Sequence, residues 1–154
     1  MKNISVVYHS GYGHTTNQAK GVVSGVDSVD NVTANLIAID QDGEINESDW
    51  QALDASDAII FGSPTYMGMA SWQFKKFADA TSKRWFNQDW KDKLAAGFTN
   101  SFRTERKAAF FRHSNFYDSV QLWPAQVNHR ARSFSPKVPD MIFRWIHSID
   151  GNGN

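Results

Sequence analysis

The sequence has 154 residues, of which 41% are hydrophobic and 21% charged, a composition typical of one globular domain rather than of a disordered chain. Sixteen basic side chains balance sixteen acidic ones, so the overall charge favours neither nucleic acid nor an anionic membrane as a partner. The lack of cysteine excludes disulfides, thiolate nucleophiles and cysteine-ligated metal sites. No apolar run exceeds four residues and no signal peptide is visible, so we expect a cytoplasmic protein.

The first half of the chain alternates between short apolar runs and helical periodicity. Residues Ile4–Tyr8 predict a buried first strand. Apolar residues then recur at helical spacing over Ala19–Val26, which is typical of a helix that packs on a sheet. A second strand is predicted over Val32–Leu36, and Ser48–Gln51 has the pattern of a capping box at which a short helix begins.

The same alternation continues through the next part of the chain. Residues Asp57–Gly62 predict a third strand with an apolar centre, Ala70–Thr81 a helix, and Leu94–Thr99 a fourth strand. The order β-α-β-α-β-α-β predicts an α/β fold, a doubly wound parallel sheet covered by helices. Such sheets bind ligands beyond the carboxyl ends of their strands, so the loops after the first, third and fourth strands are the candidate sites.

The first of these loops carries two glycines and three hydroxyls over Ser10–Thr16, immediately before the predicted helix. Backbone N–H groups and the positive end of the helix dipole favour an anion there. A Walker loop is excluded because the segment has no lysine, and a phosphatase loop is excluded because it has no cysteine. A dinucleotide-binding fingerprint is excluded because Thr16 stands where the third glycine is required. Two interpretations remain, a cradle for a phosphate monoester and an ordinary turn whose helix is capped by a threonine.

The second loop, Gly62–Met69, has a rigid Pro64 at the exit of the third strand. Tyr66 and Met67 offer flat and soft apolar surface beside the flexible Gly68, which suits packing against a planar ring. The alternative is a surface turn with one buried aromatic side chain.

Two segments together resemble one known family. Tyr8–His14 reads YHSGYGH and Asp57–Gly68 reads DAIIFGSPTYMG, and both resemble the flavodoxin-like NAD(P)H:quinone oxidoreductases of the tryptophan-repressor-binding-protein type. Gln73–Asp79 and Lys93–Phe98 resemble that family's next helix and strand, so the resemblance covers about residues 2–101. It implies a flavodoxin-like sheet with strand order 2-1-3-4, after which the sequence shows no clear fifth strand.

The resemblance implies an FMN-dependent enzyme, an NAD(P)H dehydrogenase (quinone) that transfers hydride from NAD(P)H to a quinone. It also implies a homo-oligomer, a tetramer in the family, with sites built across subunits. No catalytic acid–base pair is predicted, because flavin chemistry leaves the protein to bind and orient the reactants. The alternative function is a flavodoxin-like electron-transfer protein that binds FMN without turning over a small molecule. No metal site is predicted, since metal-ligand spacing is lacking at His9, His113, His129 and His147.

Matching the family's motifs residue by residue implies three flavin-binding segments and one substrate contact. The first loop is expected to bind the FMN phosphate through Ser10, Gly11, Tyr12, Gly13, His14 and Thr15. The second is expected to lie against the isoalloxazine ring through Pro64, Thr65, Tyr66, Met67 and Gly68. The start of the third matches Thr99, Asn100 and Ser101. Trp85 matches a family tryptophan near the nicotinamide and quinone position.

The resemblance ends at Ser101, which divides the chain into a flavodoxin-like FMN-binding core, residues 1–101, and an atypical segment, residues 102–154. The first hundred residues contain 8 basic and 12 acidic side chains, whereas the remaining 54 contain 8 and 4. Three interpretations of the second segment compete: a basic tail that binds nucleic acid, a divergent end of the same domain, and an out-of-frame translation. The small charge excess argues against nucleic acid, and the composition favours the frameshift. Because the third loop departs from the family, we expect FMN to bind more weakly than in an intact member.

Overall fold

The computed structural model describes residues 1–100, and this part of the chain forms one sheet with helices on both faces. Its strands are β1 (Lys2–Tyr8), β2 (Val32–Ala38), β3 (Ala58–Tyr66), β4 (Met69–Ala70) and β5 (Leu94–Asn100). Its helices are α1 (His14–Asp27), α2 (Glu47–Ala55), α3 (Trp72–Ala80) and α4 (Ser82–Asn87). No helix within this range is both long and apolar enough to cross a membrane.

Four strands form a parallel sheet in the order β2-β1-β3-β5, and the short β4 pairs with β3 in the antiparallel sense. In register, Ala58 of β3 lies between Ile4 of β1 and Leu94 of β5. The predicted strand order 2-1-3-4 is confirmed, because the fourth predicted strand is β5. Ser101 and the predicted segment 102–154, where a fifth strand was sought, lie outside the described residues.

Two hydrophobic clusters cover the two faces of the sheet, because successive side chains of a strand point to opposite sides. The cluster under α1 contains Ile4, Val6, Val22, Val26 and Ile60. The cluster under α2 and α3 contains Val7, Ile37, Leu53, Phe61, Phe74 and Phe77. The central strand β3 is buried on both faces from Ala58 to Pro64, which explains the continuous apolar run Ala58–Phe61 at its start.

The start of α2 and the presence of α4 both differ from the prediction. Helix α2 begins at Glu47 with Asn46 as its N-cap, rather than at a capping box formed by Ser48. Asp49 completes the observed box, since its carboxylate accepts the N–H of Asn46 at 3.4 Å. Both Asn46 and Ser48 are good N-cap residues, and the acidic side chain three positions after Asn46 selects the earlier one. Helix α4 has no buried residue, so it left no apolar stripe to predict it from.

The end of the sheet at which the parallel strands begin is here called the amino edge, and one carboxylate there accepts several hydrogen bonds. Asp54 accepts hydrogen bonds from Arg84 Nε and Nη2 at 2.7 and 2.9 Å and from Trp90 Nε1 at 2.6 Å. Burial opposes ionisation of Asp54, but the hydrogen bonds and charge of Arg84, together with Trp90, outweigh burial and lower its pKa. The Arg84 guanidinium also stacks 4.1 Å from the Trp50 ring centroid, and Lys93 Nζ donates to the Asp54 carbonyl at 2.7 Å. These contacts join α2, α4 and the turn before β5.

Candidate functional site

The opposite end of the sheet, here called the carboxyl edge, is where the first loop and the ends of β3 and β5 meet. Tyr8 lies opposite Gly62 in register, and Pro64 lies opposite Asn100. The N–H of His9 donates to the Gly62 carbonyl at 3.0 Å, which continues the pairing one residue beyond β1. Parallel pairing therefore collects the predicted flavin-binding segments at one edge.

The first loop, Ser10–Thr15, is held in shape by one hydroxyl. Ser10 Oγ accepts the N–H of Gly13 at 3.1 Å and the N–H of Thr16 at 3.3 Å. Helix α1 begins at His14 with Gly13 as its N-cap, at a φ of 84° that favours glycine. The alternative interpretation, a helix capped by a threonine, is wrong, because Gly13 occupies the cap position.

Backbone donors remain free in this loop. Within residues 1–100, no acceptor takes the backbone N–H of Gly11, Tyr12, His14 or Thr15. The earliest helical bond joins the N–H of Asn17 to the Gly13 carbonyl at 3.2 Å, as expected for a helix whose first donors have no intrahelical partner. The first turn of α1 carries no acidic side chain, so no carboxylate of that turn competes with an anion for these donors. The donor set fits an anionic group such as a phosphate monoester.

The second predicted loop is a hairpin. Strand β3 continues through Tyr66 and turns back into β4. The turn itself consists of Met67 and Gly68, with φ of 50° and 85°, and tight two-residue hairpins require this left-handed conformation. The prediction that β3 ends at Gly62 is wrong, because pairing with β4 extends the strand past Pro64.

The hairpin and the first loop contact each other through two tyrosines. The rings of Tyr12 and Tyr66 pack edge to face, with centroids 6.4 Å apart. The Tyr66 hydroxyl lies directly over Gly11, where a Cβ atom would overlap it. Burial, and to a smaller extent the neighbouring Tyr12, raises the pKa of Tyr66, so the phenol is protonated at neutral pH. Tyr12 and Met67 are 84% and 92% exposed, so both present free apolar surface at this edge.

A cluster of buried hydroxyls fixes the hairpin to β5. Thr99 Oγ1 donates to the Ser63 carbonyl at 2.7 Å and lies 2.7 Å from Thr65 Oγ1. Because a hydroxyl has one proton, Thr65 is the donor in that second bond. Ser63 Oγ accepts the N–H of Ser71, the N-cap of α3, at 3.1 Å. Sequence reasoning named Thr65 and Thr99 but missed Ser63 and Ser71, whose contribution depends on tertiary contacts.

At the carboxyl edge, His9 and the half-buried Asn100 have buried polar atoms with no hydrogen-bond partner among residues 1–100. The Asn100 carboxamide oxygen accepts Thr15 Oγ1 at 3.4 Å, but its Nδ2 is buried without an acceptor. Both ring nitrogens of His9 are also buried without a partner, and burial lowers the pKa of His9. Buried polar atoms are normally hydrogen-bonded, so each of these atoms is available to a polar ligand that reaches it. Sequence reasoning assigned His9 no role, since only the fold shows its burial.

Trp85 lies apart from these segments within one chain. It is on α4, next to Arg84, whose guanidinium bonds Asp54 at the amino edge. Its side chain is 44% exposed. The structure therefore brings together the first loop, the hairpin and the end of β5 but not Trp85, and Ser101 lies outside the described residues.

Known proteins match this chain at the level of family, sequence and structure. The family model described as NADPH-dependent FMN reductase matches residues 31–114. Flavodoxin FldP of Pseudomonas aeruginosa is 40% identical over 142 residues, covering 86% of this chain and 74% of that protein. The crystal structure of a flavodoxin, WrbA-like protein from Agrobacterium tumefaciens is 54% identical with a TM-score of 0.65, covering 71% of this chain and 66% of that chain.

Quinone dehydrogenases also match, over a shorter part of their length. The probable NAD(P)H dehydrogenase (quinone) FQR1-like 2 of Arabidopsis thaliana is 34% identical over 113 residues, covering 64% of this chain and 41% of that protein. The NAD(P)H dehydrogenase (quinone) of Solidesulfovibrio magneticus is 32% identical over 101 residues, covering 54% of this chain. The match spans 50% of that second protein, so this chain corresponds to about half the length of these curated relatives.

Proposed function

The chain belongs to the NADPH-dependent FMN reductase family of flavodoxin-like oxidoreductases, and from that premise we propose that it binds FMN and transfers hydride from NAD(P)H to quinones. The resemblance carried by Tyr8–His14 and Asp57–Gly68 is confirmed at the level of family. The observation that supports the proposal most directly is the set of free backbone N–H groups at the start of α1.

In this proposal the first loop binds the FMN phosphate. Its free N–H groups act as fixed donors to a dianion, and hydrogen bonds to an ionised acceptor are short and strong. Ser10 holds the loop so that these donors share one anion, and Gly13 supplies the left-handed turn into α1. Binding of the phosphate through backbone N–H groups does not require a positively charged side chain. This agrees with the first turn of α1, which contains neither lysine nor arginine.

The hairpin forms one wall of the flavin site. Met67 is exposed at its tip, and the hydroxyls of Thr65 and Thr99 fix its position relative to β5. Asn100 Nδ2, a buried donor that no acceptor in the described part of the chain takes, is available to a polar oxygen of the cofactor. Bound FMN supplies the ring that accepts and releases hydride, while these residues bind it, orient it and exclude water from one side.

We also propose the homo-tetramer that the family resemblance implies. Trp85 lies toward the amino edge in one chain, so a contact with substrate requires that it reach the site of a neighbouring subunit. Sedimentation analysis of the FMN-loaded protein tests this. A monomer that still oxidises NAD(P)H at a Trp85-dependent rate contradicts the assembly.

A flavodoxin-like electron carrier is the second candidate function. It is favoured by the match to Flavodoxin FldP, which covers more of this chain than the two quinone dehydrogenases above do. A carrier needs FMN and the same first loop, but it needs no site for a nicotinamide or a quinone.

Steady-state kinetics separates the two candidates. The purified chain is loaded with FMN, and absorbance at the nicotinamide band is followed with NADH or NADPH and a benzoquinone. Sustained consumption of either donor that depends on the quinone supports the enzyme. Flavin-loaded protein that consumes neither donor, yet accepts electrons from a chemical reductant, supports the carrier.

A further inference from the structure

Tyr66 reaches a position that a role against the flavin ring does not explain. Side chains alternate along β3, so Tyr66 leaves the strand on the same face as Ile60, the face that α1 covers. That direction carries its phenol to the first loop, where the hydroxyl lies over Gly11. Among residues 1–100 this hydroxyl has no hydrogen-bond partner.

Gly11 indicates that the contact depends on this pair of residues. Its backbone is not in the left-handed region, so local conformation does not require a glycine there. The available space does require a glycine, because a Cβ atom at Gly11 would overlap the phenolic oxygen of Tyr66. The adjacent ring carbon Cζ would stand 3.5 Å from that Cβ, an ordinary contact. Glycine at this position therefore makes room for the hydroxyl and not for the ring.

We propose that the Tyr66 hydroxyl donates a hydrogen bond to the phosphate group held by the first loop, and so makes the site selective for FMN over riboflavin. This inference rests on the proposed function, because it needs a flavin in the site. A phenol has one proton to donate, and the hydroxyl lies over Gly11, in the same loop whose N–H groups have no acceptor within residues 1–100.

The first test removes the hydroxyl and keeps the ring. Tyr66→Phe and the wild-type chain are titrated with FMN and with riboflavin, and flavin fluorescence reports binding. We expect FMN to bind about tenfold more weakly to Tyr66→Phe, the size of one hydrogen bond to a charged acceptor, and riboflavin to change by less than about twofold. Equal losses for both flavins, or no loss for either, overturn the proposal.

A second variant tests the contact with Gly11. Gly11→Ala in the wild-type chain displaces the phenol, so we expect a loss of FMN affinity of about tenfold. In the Tyr66→Phe background the added methyl meets only ring carbon, so the same substitution has little further effect. Additive losses in the double variant overturn the proposal, because residues in contact are expected to be non-additive. Thermal unfolding of each variant confirms that the chain remains folded.

The wild-type chain distinguishes this inference from the function on which it rests. If it binds neither flavin, the proposed function fails and the inference fails with it. If it binds FMN and riboflavin equally, flavin binding stands and the phosphate contact of Tyr66 is refuted.

Discussion

At the amino edge the Asp54 carboxylate accepts three hydrogen bonds, from Arg84 and Trp90, whereas at the carboxyl edge His9 and Asn100 have buried nitrogens for which residues 1–100 provide no partner. Satisfied polar groups stabilise a fold, and unsatisfied ones lower its stability until a ligand completes them. The comparison therefore separates an edge that holds the domain together from an edge that is prepared for binding.

Loss of the Asp54 carboxylate is expected to have the largest effect on stability. Asp54→Ala leaves Arg84 without its ion-pair partner and the buried Trp90 Nε1 without an acceptor. We expect the free energy of unfolding in urea to fall by about 2 kcal/mol, less than for a fully buried pair because the Asp54 side chain is 40% exposed. Asp79→Ala is the matched control, because Asp79 pairs with Lys75 on the exposed face of α3 and such pairs contribute less than about 1 kcal/mol. Equal effects of the two substitutions would show that Asp54 stabilises the fold no more than an exposed ion pair does.

Gly13→Ala is expected to lower both FMN affinity and stability. The φ of 84° at Gly13 is unfavourable for alanine by about 1–2 kcal/mol, and relaxation of the backbone would move the loop donors. We expect a loss of FMN affinity of at least about tenfold in a fluorescence titration.

Gly21→Ala provides the control for that substitution. Gly21 lies in α1 with no atom near its Cβ position, and its backbone is not left-handed. Alanine there should stabilise the helix by up to about 1 kcal/mol and leave FMN affinity unchanged. A similar loss of affinity in both variants would show that α1 as a whole, rather than the loop, determines binding.

Burial of His9 makes stability depend on pH. The pKa of His9 is lower in the folded chain than its ordinary value of 6.5, so the unfolded chain binds the proton first as the pH falls. Stability contributed by the neutral imidazole is therefore present above pH 6.5 and is lost as the pH falls from there toward the folded pKa. The slope is at most that of one proton, about 1.4 kcal/mol per pH unit.

Urea unfolding at pH 7.5 and 5.5 measures this slope. His9→Gln should reduce it, whereas His14→Gln, which changes an exposed histidine, should retain it. An unchanged slope in His9→Gln would show that burial of His9 does not cause the pH dependence of stability.

The smallest effect is expected at an exposed ion pair. Lys2 Nζ lies 2.9 Å from Asp57, and both side chains are substantially exposed, so solvent screens the attraction. Lys2→Ala should change the unfolding free energy by less than about 0.5 kcal/mol. A larger loss would show that the amino edge is stabilised by its exposed charges as well as by Asp54.

Sequence reasoning predicted the strands and their order because burial imposes a pattern on the residues themselves. The apolar run Ala58–Phe61 indicated a strand buried on both faces, and its place beside β1 follows from the parallel topology. Helix α4 and the two-residue β4 have no such pattern, so they were missed.

The candidate site was predicted in position but not in detail. Ser10 and Gly13 were recognised from their residue types and from the helix that follows them. The position of Tyr66 over Gly11 and the burial of His9 result from contacts between segments distant in sequence, which local pattern does not encode. The assignment of individual residues to FMN stays a prediction.

The two hydrogen bonds accepted by Ser10 Oγ have a kinetic consequence. They fold the first loop before any ligand arrives, so a ligand does not have to order that segment when it binds. Association with a preformed site is expected to be a single step whose rate rises linearly with ligand concentration, without a slower conformational phase. One serine hydroxyl would then set how quickly this protein acquires its ligand as well as how tightly it holds it.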